Sequence, residues 1–250
     1  MSAEPAPRLL RLIFQARYKP KLCHFALADQ AAAEFEPDYA DWRRGGGGIT
    51  MSDYTHRCMM AIHHDSFSYC QDLADMNLAD ARLQRILQKL PSVLGLRGYT
   101  RLGLREFVLV PADMVFESLV AVMTAKLYVD ARVLRKALPD RTEDLLYRID
   151  GSEGETRFHV TIAPVKRDEV DPKIMDLANA ATVDPSRLHE TLKEAQESLP
   201  AVGVFFDVDF YRESDTERIG LESASAFTKS ARDRIGRMVD EMMGYLLERT

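Results

Sequence analysis

The sequence predicts an α+β protein made of two pseudo-repeated halves, each a mainly antiparallel sheet backed by helices on one face. Three observations predict it. Residues 54–138 and 143–249 each read as ββαβα, with no residue-level identity between them, so the repeat is one of architecture. Several segments alternate with period two and keep one wet face, the signature of half-buried strands. Residues 8–110 spell βαββαβ, the split-βαβ order of ferredoxin-like domains. The expected organisation is a disordered lead-in over 1–7 ("MSAEPAP"), a first α+β half over 8–110, and a second over 111–250 packed closely on it.

Taken in order, "RLLRLIFQARY" places Leu10, Leu12, Phe14, Ala16 and Tyr18 on one strand face, with Arg11, Gln15 and Arg17 on the other. A weak helical stretch over 25–35 ends near Pro37. "RRGGGG" (43–48) reads as a flexible connection, because four glycines resist a regular element. It lacks the GK[ST] and the strand-to-helix setting of a phosphate-cradling loop. Residues 54–63 and 67–72 form a hairpin around "HDS", and a helix follows over 78–90 with Asn77 as its N-cap. After the strand "YTRLGLREFVLVP" (99–111), apolar residues step by three or four from Phe116 to Leu138 until Pro139 stops the helix. A second hairpin turns at 151–154, and Asp184-Pro185 starts a helix. "VGVFFDVDFY" (202–211) is a strand, and Ser223 opens the last helix.

Composition bounds the function. A chain of 250 residues, 46% hydrophobic, builds a substantial core. A net charge of −6 argues against general nucleic-acid binding, which needs many cationic contacts to phosphate. A basic crowd at Arg8, Arg11, Arg17, Lys19 and Lys21 is the exception. Cys23, Cys58 and Cys70 form no even framework and no CxxC pair, which predicts reduced thiols and a cytoplasmic location. "RLLRLIFQAR" is broken by arginines, unlike a signal peptide, and no apolar run reaches membrane-spanning length.

Three constellations are candidates for chemistry. His56, Cys58, His63, His64 and Cys70 suggest a metal, yet His63 and His64 point to opposite strand faces. Met60 and Ile62 share the face of Cys58, so the favoured reading is a core cysteine with turn histidines. Asp207 and Asp209, at i and i+2 on a strand, present the carboxylate pair that holds magnesium. If the strand bearing Arg157 and His159 is a neighbour, those residues join the same face, with His159 as acid or base. The plainer reading is cross-strand Arg–Asp pairing on a wet sheet. Arg101 and Arg105 flank Gly103, whose missing side chain leaves a notch, and are candidates to clamp an anion or a partner. The inward face of that strand is Leu102, Leu104, Val108 and Val110, interrupted by Glu106. Asp207 and Asp209 are the natural internal partners of the two arginines.

With Gly103-Leu104-Arg105 in mid-chain, Asp207-x-Asp209 late, and Phe227 near the start of the last helix, the chain resembles a sporadically distributed bacterial family of uncharacterised proteins. That family carries a GLRYxNRI-type strand and a late Asp-x-Asp strand. Val108 and Leu109 stand where its Asn-Arg would be, so any polar role of that pair is absent here. The resemblance spans nearly the whole chain, implies a shared architectural plan and a bacterial origin, and brings no reaction with it.

The expected function is a non-catalytic binding or adaptor protein of a bacterial multi-component system. It would work through a protein partner or as a homodimer, with no membrane and no cofactor. No GxSxG, HExxH, Rossmann or kinase motif leans the reading toward catalysis. Two alternatives stand. One is a divalent-metal-dependent enzyme acting on a phosphate substrate through Asp207 and Asp209, with Mg²⁺ as cofactor. The other is an anion or nucleotide sensor using Arg101 and Arg105.

Overall fold

The computed structural model describes residues 8–20, 24–45, 47–72, 76–128, 143–170, 197 and 199–247. Its strands are β1 (Arg8–Arg17), β2 (Asp41–Gly45), β3 (Gly48–Asp53), β4 (Cys58–His63), β5 (Ser66–Asp72), β6 (Arg101–Pro111), β7 (Tyr147–Glu153), β8 (Thr156–Lys166) and β9 (Val202–Glu213). They form one sheet in the order β2-β3-β4-β5-β1-β6-β9-β8-β7. The helices α1 (His24–Phe35), α2 (Met76–Val93), α3 (Phe116–Leu127) and α4 (Ser223–Leu247) contribute to a single large core on one face of that sheet. No helix among the described residues is long and apolar enough to cross a membrane.

The α+β class and the antiparallel sheet are as expected. Within residues 8–111 the strands lie in the order β4-β5-β1-β6 with every neighbour antiparallel, so β1 runs parallel to β4 across β5, and β5 parallel to β6 across β1. The two ββαβα runs differ in space. β1 sits between β5 and β6, while β8 and β9 are direct neighbours, so the halves are not superposable. The sheet is continuous across the expected boundary at 110/111, because β6 pairs with β9 from Arg101↔Glu213 to Pro111↔Gly203.

The stretch expected to be a flexible connection is the tip of a β2–β3 hairpin, with Gly45 opposite Gly48. Gly48 is required there, since a Cβ would lie 1.9 Å from the Ile62 carbonyl oxygen on β4. The glycines serve close strand approach rather than freedom. In the next hairpin residues 54–57 are a turn, and the strand starts at Cys58. Helix α2 begins before the expected cap Asn77 and runs past Pro91. It closes at Gly95 (φ +58°), where Leu96 N donates to the Pro91 carbonyl and Gly95 N to that of Ser92, a Schellman ending. The second hairpin turns at Gly154 (φ +58°), one residue pair wide. The expected extension of α3 over 129–138 and the helix from Asp184 lie outside the described residues, as does Cys23.

Alternation sets the two sides of the sheet. Leu12, Phe14 and Ala16 of β1, Leu102, Leu104, Val108 and Val110 of β6, and Val204, Phe206, Val208 and Phe210 of β9 all enter the helix-covered core. Leu10 does not, against expectation. A bulge between Leu9 and Arg11 reverses the alternation and turns Leu10 to the opposite face, beside Phe107, Leu109 and Phe205. That second, smaller core is completed by Ala163, Val165, Val170 and Leu199.

One charge lies inside the large core. Glu106, 1% exposed on the helix side of β6, meets Arg232 of α4 at 2.8 Å, and Arg232 also pairs with Asp80 of α2. The triad ties both long helices to the central strand. Burial pushes the Glu106 carboxyl up to about 7 from its ordinary 4.5, against the pull of Arg232. Between those values the folded chain retains a proton that the unfolded chain has lost. Stability therefore falls as pH rises from about 4.5 to about 7 and is level above, by on the order of 3 kcal/mol in full. Urea unfolding of wild type and Glu106→Gln across that range should show this slope in wild type and its loss in the variant. Parallel pH profiles would contradict the assignment.

Candidate functional site

The face of the sheet opposite the helices carries Arg101, Arg105, Arg157, His159, Asp207 and Asp209. Antiparallel register places Ile13, Arg105, Asp209, His159 and Asp150 in one transverse row, each opposite the next. Arg11, Phe107, Asp207 and Thr161 make the row beside it. Cross-strand neighbours on one face interact both directly and diagonally, and here the diagonal is used. Arg105 reaches past Asp209 to Asp207, donating from Nε to Oδ1 at 2.7 Å and from Nη2 to Oδ2 at 2.6 Å. The guanidinium also lies 4.9 Å over the Phe107 ring. This bidentate fork holds the Arg105 guanidinium in its charged form above its ordinary range.

The remaining charges are also shared out within the chain. Arg101 stands 4.0 Å from Asp209 and 3.4 Å from Glu213, and its guanidinium covers the Tyr211 ring at 4.8 Å. Arg157, largely exposed, reaches only to 4.0 Å from Glu213. His159 takes Asp150 of β7 as its partner at 2.6 Å and stacks on Tyr211, rather than facing the Asp207/Asp209 pair. That contact holds the Asp150 carboxyl below its ordinary range. Burial raises the Asp209 carboxyl despite Arg101 and Arg105. Arg11, expected in a basic surface crowd, is buried against Asp72 in a two-pronged pair, with Nη2 to Oδ2 at 2.9 Å.

Gly103 opens a depression of about 300 Å³ among these groups. Its apolar members are Met59, Cys70 and Ile13, which follow one another across β4, β5 and β1. Arg11, Arg101, Arg105 and Asp209 stand around them. A Cβ added at Gly103 would make only ordinary contacts, at 3.7–3.8 Å, with the Arg101 guanidinium and the Tyr211 Cβ.

The carboxylate pair expected to hold magnesium is split by these contacts. Asp207 is engaged by Arg105 through both oxygens, and a cation there would have to displace a guanidinium. No group of three His, Cys, Asp or Glu among the described residues is placed to hold a metal ion. Cys58 is a core residue beside Met60 and Ile62, as the alternation implied. What the strand patterns missed is its environment. Arg82 of α2 donates to the Cys58 sulfur and, at 2.9 Å, to Asp53, which also holds His56 at 2.6 Å. Burial nevertheless pushes the Cys58 thiol up to about 11, so it stays protonated and is a poor nucleophile at neutral pH. Only the nearness of Asp53 and His56 in sequence hinted at this cluster. Arg82 comes from a distant helix.

No protein-family model, curated protein or solved structure matches the chain. The family resemblance therefore rests on Gly103, Leu104, Arg105, Asp207, Asp209 and Phe227 alone. Five of them, Gly103, Leu104, Arg105, Asp207 and Asp209, lie on the paired strands β6 and β9, and Arg105 and Asp207 are in contact.

Because Arg105 and Asp207 lie 102 residues apart in sequence on neighbouring strands, their coupling is measurable as stability. A double-mutant cycle with Arg105→Ala and Asp207→Ala should give a coupling of about 1 kcal/mol at low salt. It should shrink in high salt, since the Arg105 side chain is 40% exposed. Strict additivity of the two single substitutions would show that the fork contributes nothing.

Proposed function

We propose that the protein is a non-catalytic binding protein, an adaptor that engages a protein partner through the Gly103 depression on its open sheet face. The single observation that supports this reading is how the charges around the depression are already disposed. Arg105 is locked by Asp207, Arg11 by Asp72, and Arg101 is shared between Asp209 and Glu213. They form a pre-organised polar rim around the apolar strip Met59–Cys70–Ile13. An apolar centre within a polar rim is the anatomy of a protein–protein contact, in which a partner's bulky side chain fills the central pocket. The depression is at the bottom of the size range of small-molecule pockets, roughly 300–1,000 Å³.

The sheet edges argue for the face as the contact. β2 is short and carries the exposed Arg43 and Arg44, and β7 carries the exposed Arg148 and Asp150. Charged, short edge strands discourage pairing with another chain. The family resemblance supports a role within a bacterial multi-component system, with Gly103 and Arg105 as part of a common plan.

Gly103→Leu tests the proposal, because it fills the depression where a side chain meets no backbone. The variant should melt within a few degrees of wild type. It should lose specific proteins that wild type retains in pull-downs from the native host, while light scattering shows whether the bound chain is a second copy. A wild type that stays monomeric at micromolar concentration and retains nothing that the variant loses would end this reading.

A further inference from the structure

A second site, adjoining the Gly103 depression and sharing Arg101 with it, lies where the sheet runs out at the ends of β1 and β9 and the starts of β6 and β8. Two adjoining cavities of about 570 and 610 Å³ open there and share Arg157, Glu213, Ser214 and Arg218. Arg17 and Arg101 complete the cation set on the open-face side and Arg212 on the helix side. Five guanidiniums thus face three carboxylates, Glu213, Asp215 and Glu155, in a chain whose net charge is −6.

The arrangement is costly for an empty site. Arg17 and Arg101 are directly opposite each other in the β1–β6 register, and like charges so placed repel. Glu213 is the acidic neighbour of both Arg101, at 3.4 Å, and Arg157, at 4.0 Å. Arg17 and Arg218 have no side-chain partner among the described residues. The basin shares the already paired Arg101 with the depression and adds Arg17, Arg157, Arg212 and Arg218, more cations than its own carboxylates match.

We propose that this basin binds a small polyanion carrying two or more linked phosphates. Guanidiniums present planar forks of donors that match phosphate oxygens two at a time. A cavity of this size, roughly within the range of small-molecule pockets, takes a triphosphate. A single small anion would satisfy the Arg17–Arg101 repulsion but leave Arg157 and Arg218 unmet, so a chain of phosphates is the better match. This site does not depend on the protein partner proposed above.

The test is calorimetric titration of the full chain with inorganic tripolyphosphate, ATP, and sulfate at matched ionic strength. Tripolyphosphate should bind saturably and raise the melting temperature. Arg17→Ala and Arg218→Ala, which break no internal pair, should each weaken it about tenfold, while Lys229→Ala, an exposed cation on α4 outside the basin, should not. ATP binding equal to tripolyphosphate means that phosphates alone are read; ATP binding tighter means that the nucleoside adds contacts. Either affirms the site. Heats no larger than those of sulfate, or equal weakening by Lys229→Ala, would overturn it.

Discussion

The pairing of β6 with β9 joins the first half of the chain to the second, and charge on both faces of β6 sets its register. Arg105 looks to the open face and forks onto Asp207, while its neighbour Glu106 looks into the helix core and meets Arg232. Because side chains alternate, a slip of one residue would exchange these environments. Arg105 would enter the apolar layer under α4, far from Asp207, and Glu106 would leave its only buried guanidinium. An unpaired charge in that layer costs several kcal/mol. Apolar residues alone discriminate less sharply here, since Phe107 and Leu109 on one face and Val108 and Val110 on the other are both buried.

That constraint also decides what the open face has left to offer. A sheet face that pairs its own arginines and carboxylates is rigid and nearly neutral, suited to recognition by shape rather than to proton transfer or cation binding. The exception is geometric. Gly103 contributes no side chain to the row, and Ile13, Cys70 and Met59 present carbon and sulfur where the flanking strands present charge. The face thereby acquires one place at which burying a partner's apolar group would remove water without breaking an ion pair.

Much of this was legible from residue order, and the failures share a cause. The alternation of β6, β8, β9 and β1 from Leu12 onward named the residues that face the helix-covered core, and the Arg105–Asp207 pairing was anticipated from two strands that each needed a counter-charge. What alternation cannot report is which strand lies beside which. The insertion of β1 between β5 and β6 has no counterpart between β8 and β9, and this sets the two ββαβα runs apart. Local reading failed for a different reason at two points. Gly48 looked like slack because the carbonyl of Ile62 that demands it is on another strand. The bulge at Leu9 and Arg11 left the hydrophobic pattern intact while moving Leu10 to the other core. The Asp150 partner of His159 was not foreseen because it comes from the edge strand β7.

The arginines illustrate the same division between local and distant information. Arg11 and Arg17 lie six residues apart on one strand and look alike in sequence, yet Arg11 is 1% exposed against Asp72 while Arg17 stands free at the strand's end. In the middle of a sheet an unpaired guanidinium has neighbours on every side and must be neutralised by the chain itself, or the strand will not pack. At the sheet's end water can solvate it, so repulsion between Arg17 and Arg101 is tolerable at a modest cost in stability. Charge that folding does not consume can persist only where folding does not forbid it. The surplus of cations at this one margin of an acidic protein is therefore better explained by something the margin holds than by the fold it terminates.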